Sequence, residues 1–334
     1  MSNVGLAVIG CGNMAGQHMV NAVVADNMSL IAYVDVIEAA ARKFHTDFGG
    51  SYFTDDPKRV LNDDRVDAVL IATRHDSHRD LAIAAARAGK GILLEKPMAL
   101  TNEDCQEIAE EVDKAGVTFL MGFKLRYCPL VRRTKQVISA PSMSIGQMVD
   151  NTWAEDSWAH QPVTGGGNVL SQGCHTVDLL YHVHDSEPEV IFAGGGNLSH
   201  PGTPDVIDAV AATITFENGS TSSWVQGDPQ RNEFVSKFFL QVFHPGVAVS
   251  LHNRFHDGVL TRGRDHSECW SVEKDLPGED AEGTAQELDE FIACVKAGKQ
   301  PEIGAGLRDG VRATALILAA FESVRTGKLQ KIVY

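Results

Sequence analysis

The chain has 334 residues, 43% apolar and 22% charged, enough for two domains with sizeable cores. Its 29 basic and 44 acidic side chains leave a net charge of −15, which argues against nucleic acid or an anionic membrane as the main partner. No apolar run approaches the roughly 20 residues of a membrane span, and the opening MSNVGLAVIG moves into a strand pattern without a basic start, so no signal peptide is expected.

In chain order, VGLAVIG (4–10) reads as a buried strand ending in glycine, and a helix pattern follows over about 13–25. LIAYVDV (30–36) is the next strand and SYF (51–53) a weak third, with a short helix after it that carries Pro57 near its start. VDAVLIAT (66–73) is a strongly apolar strand before an alanine-rich helix at 78–88. GILLE (91–95), a helix at 102–115 and VTFLMGF (117–123) complete this part. Continuous apolar strands separated by helices predict a parallel, doubly wound sheet covered on both faces.

After residue 123 the texture changes, giving a domain division of 1–123 and 124–334. A helix is expected at 128–138 and another at 168–183. Strands are expected at 145–154, 189–194, 206–216, 220–227, 235–243, 247–251, 257–261 and 268–273. Turn signals such as ENGS (217–220) and HPG (244–246) predict an open, mostly antiparallel sheet. GGGN at 194–197 reads as a turn, and helices near 282–297 and 307–326 close the chain. The six cysteines are scattered without a Cys-x-x-Cys, so free thiols in a reducing cytoplasm are expected. His252, His256 and His266 have no metal-binding frame, and no metal site is expected.

GCGNMAG (10–16) lies between the first strand and the first helix and fits G-x-G-x-x-A with Gly10, Gly12 and Ala15. Gly10 permits a tight turn, Gly12 lets backbone approach a pyrophosphate, and Ala15 lets the helix pack closely on the strand. The helix N-terminus, opening with Asn13 and Met14, offers unpaired N–H groups to phosphates. Asp35 ends the second strand, where a carboxylate accepts ribose hydroxyls and repels a 2′-phosphate, so NAD is expected in preference to NADP. The stretch EKP (95–97) in isolation suits a strand that surfaces and turns. In a doubly wound sheet it puts a lysine at the carboxyl edge, where such sheets bind ligands.

Four stretches, GCGNMAG, ATRHDSHRDLAIAAARAGKGILLEKPMAL, GFKLRYCP and GGGNVLSQGCHTVDLL, together resemble the glucose–fructose oxidoreductase/inositol dehydrogenase (Gfo/Idh/MocA) family. The resemblance spans the chain and implies a Rossmann domain followed by an α/β domain with an open, mostly antiparallel sheet. It implies an NAD(P)-dependent exchange of hydride with a secondary alcohol of a sugar or cyclitol. It also implies a homodimer or homotetramer through the outer face of the second sheet. By the same resemblance Lys96 and His175 are the catalytic residues, and the peptide before Pro97 is cis. The cofactor contacts are Gly10, Gly12, Asn13, Met14, Asp35, Ala72, Thr73, His75, His78, Glu95 and Lys96. Imidazole suits removal of a hydroxyl proton near neutrality. Asp178, one helical turn past His175, is a candidate to orient its ring.

Arg126, Trp153, Trp158, His160, Asn168, Ser171, Lys96 and His175 are the candidate substrate contacts, because a polyol needs placed polar groups and an apolar face. The sequence departs from the family at Ser171, where dehydrogenases commonly carry aspartate, at Arg74-His75 in place of Pro-Asn, and at Lys124 in place of asparagine. Serine cannot hold a charge, so either Lys96 and His175 manage the chemistry alone or the activity is altered or absent. Two alternatives therefore stand beside the dehydrogenase: an NAD-binding sensor or partner protein without turnover, and a glycosidase that uses bound NAD transiently.

Overall fold

The structure is a computed structural model that describes residues 3–23, 27–203, 205–231 and 236–334. It divides into two compact units, one of residues 1–124 and 284–311, the other of 125–283 and 312–334.

The first unit alternates strand and helix: β1 (Val4–Ile9), α1 (Asn13–Ala22), β2 (Met28–Val34), α2 (Glu38–Phe48), β3 (Tyr52–Thr54), α3 (Pro57–Leu61), β4 (Ala68–Ile71), α4 (His78–Arg87), β5 (Gly91–Leu94), α5 (Asn102–Ala115) and β6 (Phe119–Met121). Every residue of β1, β4 and β5 is buried, as strands covered on both faces require. All pairings are parallel and the order is β3-β2-β1-β4-β5-β6, the doubly wound Rossmann arrangement. Local chemistry sets the helix ends. Asp56 and Thr101 accept from backbone N–H groups at the starts of α3 and α5, and Gly116 ends α5 in the left-handed region. Helix α1 ends at Ala22, so Val24 and Ala25 of the expected helix lie outside the described residues.

The second unit opens with α6 (Pro129–Val137), β7 (Met143–Val149) and α7 (Gly167–His184). Strands follow: β8 (Pro188–Gly196), β9 (Ala209–Phe216), β10 (Thr221–Gly227), β11 (Phe238–His244), β12 (Val247–His252), β13 (Asp257–Arg262) and β14 (His266–Ser271). After them come α8 (Val272–Asp275), α9 (Thr284–Ala297), α10 (Leu307–Thr326) and β15 (Gln330–Lys331). Among the described residues these form one sheet, ordered β14-β13-β12-β11-β7-β10-β9-β8-β15. Only β7 and β10 pair in parallel. Helix α7 packs on β7, β9 and β10. It comes close because Gly146 and Gly173 have no side chains: a Cβ at Gly146 would lie 2.9 Å from Leu180, and one at Gly173 2.9 Å from Trp224. Burial alternates along β9 and β10, and Phe192 and Val225 are exposed large apolar residues of this sheet.

Four expectations need correction. Residues 284–311 were assigned to the second domain, yet α9 packs on α1 and β1, and Ala305 bridges to Met121. A helix pattern shows that a face must be covered but not which sheet covers it. The strand expected at 145–154 ends at Val149, so Trp153 stands in a loop. Gly194–Gly196 continue β8 rather than turning; a Cβ on Gly195 would lie 2.0 Å from the Ala209 carbonyl oxygen, so glycine serves close strand approach there. The strand expected at 235–243 is described from Phe238, with Val235 outside the described residues.

Candidate functional site

The residues expected to hold a dinucleotide lie at the carboxyl ends of β1, β2, β4 and β5, along one edge of the parallel sheet. Gly10 has φ of +93° and its N–H donates to the Val34 carbonyl. A Cβ there would sit 2.4 Å from the Ala72 oxygen, so the turn admits only glycine. Gly12 differs. Its φ of −96° suits any residue, and a Cβ would meet nothing within 4 Å. Among the described residues no packing requires glycine at this position. The open space fronts the first turn of α1, which carries no acidic side chain, and this is the cradle a pyrophosphate needs. Asn13 is exposed and Met14 half-buried beside it.

Asp35 is fixed from both sides: Oδ2 accepts from the Cys11 N–H at 2.9 Å and Oδ1 from the Ile37 N–H at 2.8 Å. Its carboxylate retains lone pairs for ribose hydroxyls. Arg42 is occupied by Glu38 at 2.7 Å and covers the ring of Phe53. Burial and the Asp35 charge push the Cys11 thiol up to about 12, so it is neutral and inert.

At the end of β5, Glu95 and Lys96 are both buried and the Lys96–Pro97 peptide is cis. His18 of α1 donates through Nε2 to Glu95 Oε1 at 2.8 Å, and the Lys96 N–H donates to Glu95 Oε2 at 3.2 Å. Gly122 makes room for this carboxylate, since a Cβ would lie 3.3 Å from it. His78 is buried and donates through Nδ1 to the Pro97 carbonyl at 2.8 Å. Burial lowers its pKa, partly offset by the carbonyls of Pro97 and Thr73, and the ring braces the lysine turn. His75 is buried with its ring 5.6 Å from that of His78, and the Thr73 hydroxyl accepts from Ser77 at 2.7 Å. Half-buried Ala72 follows the end of β4.

In the second unit, Gly166 in the left-handed region leads into α7, which carries Asn168, Ser171 and His175, all buried. Ser171 and His175 lie four residues apart, on one face of the helix. Asn168 Oδ1 accepts from Gln226 at 2.9 Å and Gln226 Oε1 accepts from Thr176 at 3.2 Å, so β10 fixes the rotation of α7. Asp178 is held by both nitrogens of a buried fork from Arg126, with Nε at 2.9 Å and Nη2 at 2.5 Å. This bidentate pair anchors the short helical turn at 124–127 to α7. Trp153 is half-buried, with its indole 5.3 Å from the His160 ring, and Trp158 is 36% exposed.

The structure thus brings the expected cofactor residues to one sheet edge and places Ser171 and His175 on one helix. It puts Trp153 with His160, Asn168 on Gln226 and Arg126 on Asp178. Sequence reasoning missed His18, Gln226, and the pair His200 and Asp228 that adjoins His160. For His18 there was a signal, a histidine on the helix that opens at the glycine turn. For the others, partnership depends on strand order.

A model described as the oxidoreductase family, NAD-binding Rossmann fold, matches residues 4–123. The GFO/IDH/MocA C-terminal domain model matches 142–231, and the two span more than half of the chain. The chain belongs to the Gfo/Idh/MocA oxidoreductase family. Across this family's range it is 25% identical over 337 residues to myo-inositol 2-dehydrogenase of Thermotoga maritima, covering 98% of this chain and 99% of that one. It is 26% identical to 1,5-anhydro-D-fructose reductase of Ensifer adhaerens, with 97% of each covered. In fold it is similar to a levoglucosan dehydrogenase in complex with NADH, at a TM-score of 0.89 and 20% identity, covering 99% of this chain and all of that one. Family membership makes the chain an oxidoreductase and its first unit an NAD-binding domain of the Rossmann type. Among the described residues no helix is long and apolar enough to cross a membrane.

Proposed function

We propose that the protein is an NAD-dependent dehydrogenase of a secondary alcohol on a sugar or cyclitol, with Lys96 and His175 acting on that alcohol. The observation that carries this reading is the joint presence on one sheet edge of the Gly12 cradle, the fixed Asp35 and the braced Lys96. The names of the relatives, an inositol dehydrogenase and an anhydrofructose reductase, support the substrate class. Bound NAD supplies the acceptor for the hydride. Gly10, Gly12 and the first turn of α1 hold its pyrophosphate, and Asp35 takes the ribose hydroxyls. Arg42, tied to Glu38, gives no support to a 2′-phosphate, which favours NAD over NADP.

His175 removes the hydroxyl proton as the carbon loses hydride, a task suited to an imidazole near neutrality. Lys96 donates to the same oxygen and stabilises its developing negative charge. Ser171 hydrogen-bonds the substrate without adding charge. The face bearing Phe192 and Val225 supports a homodimer or homotetramer through the second sheet, and six free cysteines, four of them buried, suit a cytoplasmic protein. The test is nicotinamide reduction with NAD and a panel of inositols and aldoses. Activity on a panel member, lost in Lys96→Ala and in His175→Ala, is the expected result. Turnover that survives both substitutions overturns the assignment.

Ser171 favours one second reading, a cofactor-binding protein without turnover. NADH binding with no reduction of the dinucleotide by any panel member, in wild type and in Ser171→Asp alike, selects it.

A further inference from the structure

Strands β7, β8 and β10 run in the same direction, through one parallel and two antiparallel pairings, so their carboxyl ends share one edge of the second sheet. The segments that leave these ends carry His160, His200 and Asp228, all buried. One ligand atom from each lies within 4.8 Å of the others. The rings of His160 and His200 are 3.8 Å apart between centroids. His200 Nε2 stands 2.8 Å from Asp228 Oδ2, and His160 Nε2 3.8 Å from the same oxygen.

A hydrogen-bonded His200–Asp228 pair accounts for part of this arrangement. It leaves both ring nitrogens of His160 and the Asp228 Oδ1 buried without a hydrogen-bond partner. The Trp153 backbone also reaches the His160 ring. Buried polar atoms left this way are costly, and three of them converge here. The His160 ring, with neither nitrogen hydrogen-bonded, has a lone pair to offer a ligand in its neutral form.

We propose that His160, His200 and Asp228 form a binding site for a divalent transition ion of the zinc type. Two imidazole nitrogens and a carboxylate able to bind through both oxygens make a suitable donor set. Ligand atoms around a tetrahedral zinc, bonded at about 2.0–2.1 Å, stand about 3.3 Å apart. The observed 2.8 and 3.8 Å separations from Asp228 Oδ2 straddle that spacing, and the two imidazole nitrogens, within 4.8 Å of each other, would draw together around the ion. Neighbouring groups already hold these side chains in position. Buried Asp208 accepts the backbone N–H groups of Leu198, Ser199 and His200, which fixes the His200 loop, and the Trp153 N–H donates to Asp228 Oδ2 at 3.2 Å. The ion ties three chain segments at one sheet edge. Binding replaces the His200–Asp228 hydrogen bond, the neutral ring switching to the tautomer that carries its proton on Nδ1.

The test uses the full chain, stripped with a chelator and titrated with zinc by calorimetry and with cobalt by visible absorption. Expected are one tight equivalent and a tetrahedral cobalt spectrum. Affinity should fall at least tenfold in His160→Ala and in Asp228→Asn, and should be unchanged in the His252→Ala/His256→Ala double variant. Absence of a saturable equivalent in the wild-type protein overturns the proposal, and this result does not depend on whether any variant folds. Equal binding by Asp228→Asn, checked as folded by circular dichroism, overturns it as well.

Discussion

Substituting alanine at Gly12 separates cofactor binding from folding, and the same change at Gly10 is its control. At Gly12 the backbone lies at φ −96° and ψ −168°, which alanine adopts freely, and its methyl would meet no protein atom within 4 Å. A Gly→Ala change at a compatible position gains about 0.4–1 kcal/mol from the unfolded chain. Alanine is poorer than glycine at a helix N-cap by a similar amount. The two offset, so stability should stay within about 1 kcal/mol and the melting temperature within about 3 °C. The methyl instead enters the space assigned to the pyrophosphate. Losing one charge-assisted N–H bond to phosphate, about 1.5–3 kcal/mol, weakens NADH about ten- to a hundredfold. Gly10→Ala should do the opposite damage. Its methyl would lie 2.4 Å from the Ala72 oxygen at φ +93°. Left-handed strain of about 1–3 kcal/mol and overpacking of about 1–3 kcal/mol add to a loss of roughly 2–6 kcal/mol. Calorimetric titration with NADH and thermal melts of both variants provide the readout. Wild-type NADH affinity in Gly12→Ala, or a melting temperature lowered as far as in Gly10→Ala, refutes the reasoning.

Asp35→Asn should weaken NAD about tenfold and narrow the preference over NADP, because an amide offers one acceptor oxygen where two now accept N–H groups; dissociation constants for both cofactors decide it. Arg126→Ala leaves the Asp178 carboxylate buried without its fork and should cost about 3–5 kcal/mol in denaturant unfolding, with much of the loss recovered in Arg126→Met/Asp178→Leu. A cost below about 1 kcal/mol would show that the pair is not an anchor. His184 is buried against Phe216 with the hydroxyls of Ser144, Ser220 and Ser222 around its ring, and burial pushes its pKa down to about 4. The unfolded chain binds that proton more readily, so stability is full above about pH 6.5 and falls as pH drops toward 4, by roughly 3 kcal/mol. Unfolding at pH 7 and pH 4.5 should show this slope reduced in His184→Gln, and an unchanged slope in the variant rejects His184 as its source.

The first unit was legible because its rules are local. Apolar runs such as AVLI (68–71) between helix patterns force a parallel sheet, and a glycine turn followed by Asp35 has one place to sit. Helix α7 was legible too, since glycines ending a loop before an apolar periodic run mark a helix start. What escaped was pairing across the fold. Asp178 sits one turn past His175, which suggested a partner for that ring, while its carboxylate is held by Arg126, 52 residues earlier. His160 read as a lone polar candidate, and only the shared direction of β7, β8 and β10 brings it to His200 and Asp228. Glu95 read as a cofactor contact, and its partner His18 lies 77 positions away. The glycines of β8 read as a turn because composition alone does not distinguish a bend from a strand pressed against its neighbour.

The return of residues 284–311 to the first unit has a consequence for biosynthesis. While the ribosome is still making the second sheet, the surfaces of α1 and β1 that α9 will cover stay bare, and Gly91 faces no Val295. The amino-terminal half must therefore wait, incompletely clad, until most of the polypeptide has emerged. A product truncated before residue 284 carries that bare surface permanently and becomes a client for chaperones or proteases.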